Sequence, residues 1–130
     1  MDREQVAHIV IQAFYEVYNT LGYGFLEKNY ENALVLELRL RGLKAVQQAP
    51  VAVNYKGQKI GDYFVDVLVE DCVILELKAA VELAPEHEAQ LLHYLKATNI
   101  DLGLLLNFGP KPKVRRLVYE TARHRQSGTL

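Results

Sequence analysis

The sequence predicts an α/β domain whose mixed central sheet is flanked by helices. Three observations carry that prediction. Two stretches near the N-terminus have helical character, the first repeating apolar residues at helical spacing; β-branched segments joined by turn signals follow; and a third helical stretch leads into a short, wholly apolar run. An antiparallel hairpin region followed by a β–α–β crossover makes a mixed sheet with helices packed on it.

The first helix is expected from Asp2 to about Leu21. Asp2 with Gln5 three residues on has the form of a capping box, and Val6, Ile9, Val10, Ala13, Phe14, Val17 and Leu21 make one apolar stripe. Gly22 suits the stop, because glycine takes a left-handed cap without strain. A second helix, rich in Leu, Glu, Ala and Arg, is expected from about Leu26 to Arg41, with Gly42 closing it. "AVQQAPVAVNY" (45–55) mixes β-branched residues with a proline, which suits an edge strand or an irregular one. "KGQK" turns the chain, and strands 60–69 and 72–78 are expected to pair through an acidic turn at 70–71. Pro85 fits the first turn of a helix lasting to about Thr98, with Glu86 and Glu88 near its positive end. "LGLLLNF" (102–108) reads as a strand buried on both faces. "VRRLVYE" (114–120) is a strand or a short helix; periodicity does not decide. Residues 1–122 are expected to form a single domain and 123–130 a disordered tail.

Half of the 130 residues are hydrophobic, enough for a core without disulfides or structural metals. A net charge of −1 advertises no global polyanion binder, so a nucleic-acid partner has to be argued from local charge. Such charge concentrates near the C-terminus, where Lys111, Lys113, Arg115, Arg116, Arg123 and Arg125 face Glu120 alone. That patch suits the track of a nucleic-acid backbone and a solvated terminus equally. The single cysteine, Cys72, forms no internal disulfide. No apolar run approaches the roughly 18 residues of a membrane span, and "MDREQVAHIV" lacks the form of a signal peptide, so a cytoplasmic protein with no membrane partner is expected.

Four polar positions stand out: Asp66, Glu76, Lys78 and Glu27. In "VILELKAA" (73–80), Glu76 and Lys78 point one way while Leu75 and Leu77 point the other. Asp66, inside "FVDVLV", is expected on the side of Phe64 and Leu68, and pairing through the 70–71 turn brings it towards Glu76. Two close carboxylates do not both ionise cheaply unless a cation joins them. A hard divalent ion resolves that conflict; Mg²⁺ commonly uses one or two carboxylates together with phosphate oxygens and waters. Lys78 can then orient a water or neutralise charge developing on phosphorus. The competing reading is that Glu76 and Lys78 form an ion pair on a solvated sheet face, Asp66 is a surface acid, and Glu27 favours a helix N-terminus, worth about 0.3–1 kcal/mol. His87 and His93, six apart, lack the i, i+4 spacing of a helical zinc pair. His87 lies three residues before Gln90, where it lines the site or sits on the helix surface.

These residues carry a resemblance. "GFLEKNY" (24–30) fits the Gly-x-x-Glu-x-x-Tyr signature of the GxxExxY protein family, and "DVLVEDCVILELKA" resembles the Asp…Glu-x-Lys core of the PD-(D/E)XK nuclease superfamily. "HEAQLLHYL" is similar to the Gln-x-x-x-Tyr helix motif of the recombination-repair exonuclease branch, and "GLLLNFG" to the strand that follows in GxxExxY proteins. The similarity runs in order over roughly residues 5 to 119; Val65 stands where the superfamily often has proline. The resemblance implies a restriction-endonuclease-like αβββαβ core. It implies Asp66 and Glu76 as metal ligands with the backbone carbonyl of Leu77, Lys78 as the catalytic lysine, and Glu27 as a helix acid meeting the metal directly or through water. Gln90 and Tyr94, with Tyr30, are the residues it places along the site.

The expected function is hydrolysis of nucleic-acid phosphodiester bonds by water activated at Mg²⁺ or Mn²⁺. A non-catalytic nucleic-acid-binding or protein-assembly module on the same fold is the alternative, and a hydrolase of small phosphate esters a weaker third. A homodimer is plausible for a small nuclease, since symmetry adds reach and two-strand cutting.

Overall fold

The computed structural model describes residues 1–120, so the expected 123–130 tail lies outside the described residues. Helices α1 (Arg3–Leu21) and α2 (Glu27–Leu40) lead into strands β1 (Ala45–Tyr55), β2 (Gln58–Val69) and β3 (Val73–Lys78). Helix α3 (Pro85–Ala97) then crosses to β4 (Leu102–Phe108), and β5 (Pro112–Val118) closes the order.

Local chemistry sets each boundary. Asp2 and Gln5 form the expected capping box, each side chain accepting the other's backbone N–H at 2.9 Å. Gly24 takes φ +118°, a conformation side-chain-bearing residues avoid, and so makes the corner from which α2 starts one residue later than expected. Glu70 and Asp71 take φ +51° and +55°, the paired positive angles of a two-residue primed hairpin turn. His87 accepts the Ala84 N–H through Nδ1 (3.0 Å), which makes it a cap of α3 rather than a site-lining group.

The five strands lie in the order β1-β2-β3-β4-β5, antiparallel throughout except for the parallel β3/β4 pair that α3 connects. β1 is an edge strand, as its proline demands. The undecided 114–120 stretch is strand: Val114 packs towards the α1/α2 core while Leu117 packs towards the α3 core. One layer, α1 with α2, covers one face of the sheet over Val67, Val73, Leu75, Leu77, Leu104 and Leu106. On the other, Leu91 and Leu95 of α3 cover Ile74 and Leu105. β4 is buried along its whole length between them, as its apolar run predicts, and the one polar residue in it, Asn107, is buried too.

The alternation of faces inverts in the middle of β1 and β2. Val67 and Val69 belong to the α1/α2 core, whereas Tyr63 and Val65, of the same parity, pack on the α3 side. The inversion falls at Asp66 and opposite it at Gln48, whose φ is +47°. Leu68 therefore shares the α3 face as expected, but Phe64 lies beyond the inversion, exposed, and is not on that side.

Candidate active site

The inversion coincides with the point where β2 and β3 part. Their backbone ladder runs Val69↔Val73, Leu68↔Ile74, Val67↔Leu75 and stops. Beyond it the two carboxylates replace the missing rungs. Leu77 N–H donates to Asp66 Oδ2 at 2.8 Å, and Asp66 N–H donates to Glu76 Oε1 at 3.1 Å. β3 continues to Lys78 paired only with β4, so a notch opens between β2 and β3 with two acids across it.

Glu76 is 5% exposed, so it does not lie on a solvated face. Among the described residues no ion pair joins it to Lys78. Burial, then the neighbouring Asp66 charge, pushes the Glu76 carboxyl up to about 8; Lys78 pulls against them weakly. Glu27, first residue of α2, reaches the same corner: the Lys78 and Asp66 charges and the Ala79 backbone all act on its carboxyl. Its carboxyl is raised, mainly by desolvation. Tyr94 faces the acids from α3. Burial, then the Glu76 and Asp66 charges, raise its phenol, while Gln90 Nε2 donates to Tyr94 Oη at 3.0 Å.

Asp66, Glu76, Lys78, Glu27 and Tyr94 thus come together, with Gln90 behind Tyr94. Tyr30 does not join them. It is fully buried, stacked on Phe108 at 4.4 Å, and its hydroxyl donates to Gly22 O and accepts from Phe25 N–H. It cannot line a substrate path; it ties down the corner that delivers Glu27.

Sequence reading missed Glu31. Though 4% exposed, this acid accepts from Gln47 Nε2 (2.8 Å) and Gln48 Nε2 (3.2 Å) and pairs with Lys28 Nζ (2.7 Å). It holds the β1 residue at the inversion, opposite Asp66. The only sequence signal was an acid one turn after Glu27 on a helix otherwise apolar on that side.

The donor set suits a hard cation: two carboxylates across a notch, one buried and resisting ionisation for want of positive charge. Among the described residues, no three His, Cys, Asp or Glu side chains form a ready ligand cluster. That leaves two carboxylates plus backbone oxygen and water, the donor count typical of Mg²⁺.

Residues 4–117 match the model of the PD-(D/E)XK nuclease superfamily. The chain belongs to that superfamily. No curated protein matches it. Among solved structures, SSO0001 is similar at TM-score 0.56 and 15% identity, over 75% of this chain and 52% of that one. The chain thus spans about half the length of SSO0001. Hjc, a Holliday junction resolvase from Archaeoglobus fulgidus, is similar at TM-score 0.43 and 18% identity, over 69% of this chain and 73% of its own. An alkaline exonuclease from Laribacter hongkongensis is similar at TM-score 0.48 and 12% identity, over 90% and 81%. The αβββαβ core expected of a PD-(D/E)XK protein runs from α2 to β4, with α1 before it and β5 after it.

Proposed function

We propose that this PD-(D/E)XK protein hydrolyses nucleic-acid phosphodiester bonds with Mg²⁺ or Mn²⁺, and that it is a GxxExxY-type member through Gly24, Glu27 and Tyr30. The observation that carries the reading is the interlocked Asp66–Glu76 pair at the parting of β2 and β3. Asp66, Glu76 and the Leu77 carbonyl would hold the ion. When bound, it supplies positive charge to the phosphoryl oxygens and acidifies water. Leu77 N–H fixes Asp66, and Asp66 N–H fixes Glu76, so the ligands are set before substrate arrives. Lys78 extends from the same strand face, placed to orient the attacking water and offset charge growing on phosphorus. Glu27, on whose charge Lys78 and Asp66 both act, would meet the ion directly or through water. Tyr94, steadied by Gln90, donates its hydroxyl proton towards the acids or a phosphate oxygen. A cytoplasmic homodimer fits this reading.

The test is cleavage of labelled single- and double-stranded oligonucleotides with Mn²⁺. Lys78→Ala should lose about 10²-fold or more of the turnover, the scale of removing one charge-stabilising donor, while Mn²⁺ binding persists. Unchanged cleavage removes Lys78 from its role. The near-neutral charge (net −1) and small size favour a second reading, a non-cleaving binding or assembly module, which binds nucleic acid or a protein partner without turnover under any divalent ion.

A further inference from the structure

The α3 face of the sheet carries a second polar feature beside the acids. A cavity of about 550 Å³ opens at the C-terminal end of β4, walled by loop residues 81–83 and by Asn107, Pro110, Lys111, Lys113 and Arg115. Strand register places it. Lys78 pairs with Asn107, and Asn107 pairs with Lys113, so the three form one row across β3, β4 and β5. Two strand spacings, about 10 Å, separate Lys113 from Lys78. Leu105 and Leu117 pack on the α3 side and Arg115 pairs with Glu88 of α3 (3.1 Å), which puts the row on the face that holds Glu76 and Lys78.

The wall between cavity and acids is rigid. Asn107, 2% exposed, clamps Ala80 with both halves of its amide: Oδ1 accepts from Ala80 N–H and Nδ2 donates to Ala80 O, each at 3.0 Å. Gly109 lets the segments meet, since a Cβ there would fall 2.0 Å from Ala80 O. One segment therefore serves both places: the Ala79 backbone acts on the Glu27 carboxyl, and residues 81–83 line the cavity.

The cavity's charge is unbalanced. Glu88 occupies Arg115 and Glu82 stands on the wall, but among the described residues Lys111 and Lys113 have no ion-pair partner within 4 Å. Two solvated cations beside a neutralised third, next to a centre built for phosphodiesters, suit another phosphate on the same strand.

We propose that this cavity is a phosphate subsite. It takes a backbone phosphodiester adjacent to the scissile one, so the nucleic-acid strand runs from the Asp66–Glu76 notch across Asn107 to Lys111 and Lys113. The proposal rests on the nuclease reading above, and its test needs no cleavage. Anisotropy of a fluorescein-labelled 12-nucleotide single strand, in EDTA, gives log Kd against log salt. Each phosphate contact on a single strand contributes about 0.7 to that slope, so Lys111→Ala/Lys113→Ala should flatten it by about 1.4 and weaken binding most at low salt. Arg116→Ala should leave the slope intact, because Arg116 pairs with Glu4 on the opposite face. Glu82→Gln should tighten binding, a gain that misfolding cannot mimic. An unchanged slope in the double variant, no binding by the wild type, or displacement of the strand by inorganic phosphate at equal phosphate concentration overturns the subsite. Cleavage of the same strand by the wild type with Mn²⁺ reports separately on the nuclease reading.

Discussion

Glu76 is the residue on which the account turns, because its environment is costly in one protonation state. Buried beside Asp66, it keeps its proton up to about pH 8, and a divalent cation must displace that proton to bind. Apparent Mn²⁺ affinity should therefore climb as pH rises from 6 towards 8 and level off above, as read by titrations at fixed ionic strength. A flat profile would mean that Glu76 is not a ligand. Glu31 acts one step back. Glu31→Ala removes the charged acceptor shared by Gln47, Gln48 and Lys28, leaving Gln47 only Asn32, which should cost about 1.5–3 kcal/mol. It should also weaken Mn²⁺ binding by relaxing the inversion opposite Asp66, measurable by thermal unfolding and titration of the same sample. A stability loss with full Mn²⁺ affinity would show that the inversion holds without it.

At the scale of elements, close packing between β4 and the β3–α3 segment sets the site's far wall. Gly109→Ala forces a Cβ into Ala80 O, and the strain should cost about 1–3 kcal/mol in a denaturant midpoint. A neutral substitution would mean that the segment moves freely and the shared wall is soft. Much of this level is legible in the sequence, because its signals are local. The capping box of α1, the 70–71 turn and the apolar run 102–106 of β4 each depend on neighbours in the chain. The turn alone fixes the register that brings Asp66 to Glu76, so that pair could be foreseen. The inversion at Gln48 and Asp66 could not, since period-2 reading assumes an unbroken strand. Nor could the burial of Tyr30, whose partners Gly22 and Phe108 are set by how α2 docks. Glu31 stayed hidden because its partners Gln47 and Gln48 sit on another element.

For the whole molecule, the raised Glu76 pKa links stability to pH. An unfolded glutamate releases its proton near 4.5, while folded Glu76 holds it to about 8. Between those values the folded state binds more protons, so this group's contribution to apo stability falls as pH rises through the window. A bound cation reverses that: at 100 times Kd it should add about 2.7 kcal/mol at pH 8 and far less at pH 5, seen as a metal-dependent rise in Tm. An equal rise at both pH values would place the cation elsewhere. The most direct test of the central claim is calorimetric titration of Mn²⁺ into the wild type and into Glu76→Gln, which keeps the acceptor for Asp66 N–H but loses the charge. The account predicts a single binding event in the wild type that Glu76→Gln abolishes without loss of fold. Equal binding by both proteins, or none by the wild type, would contradict it.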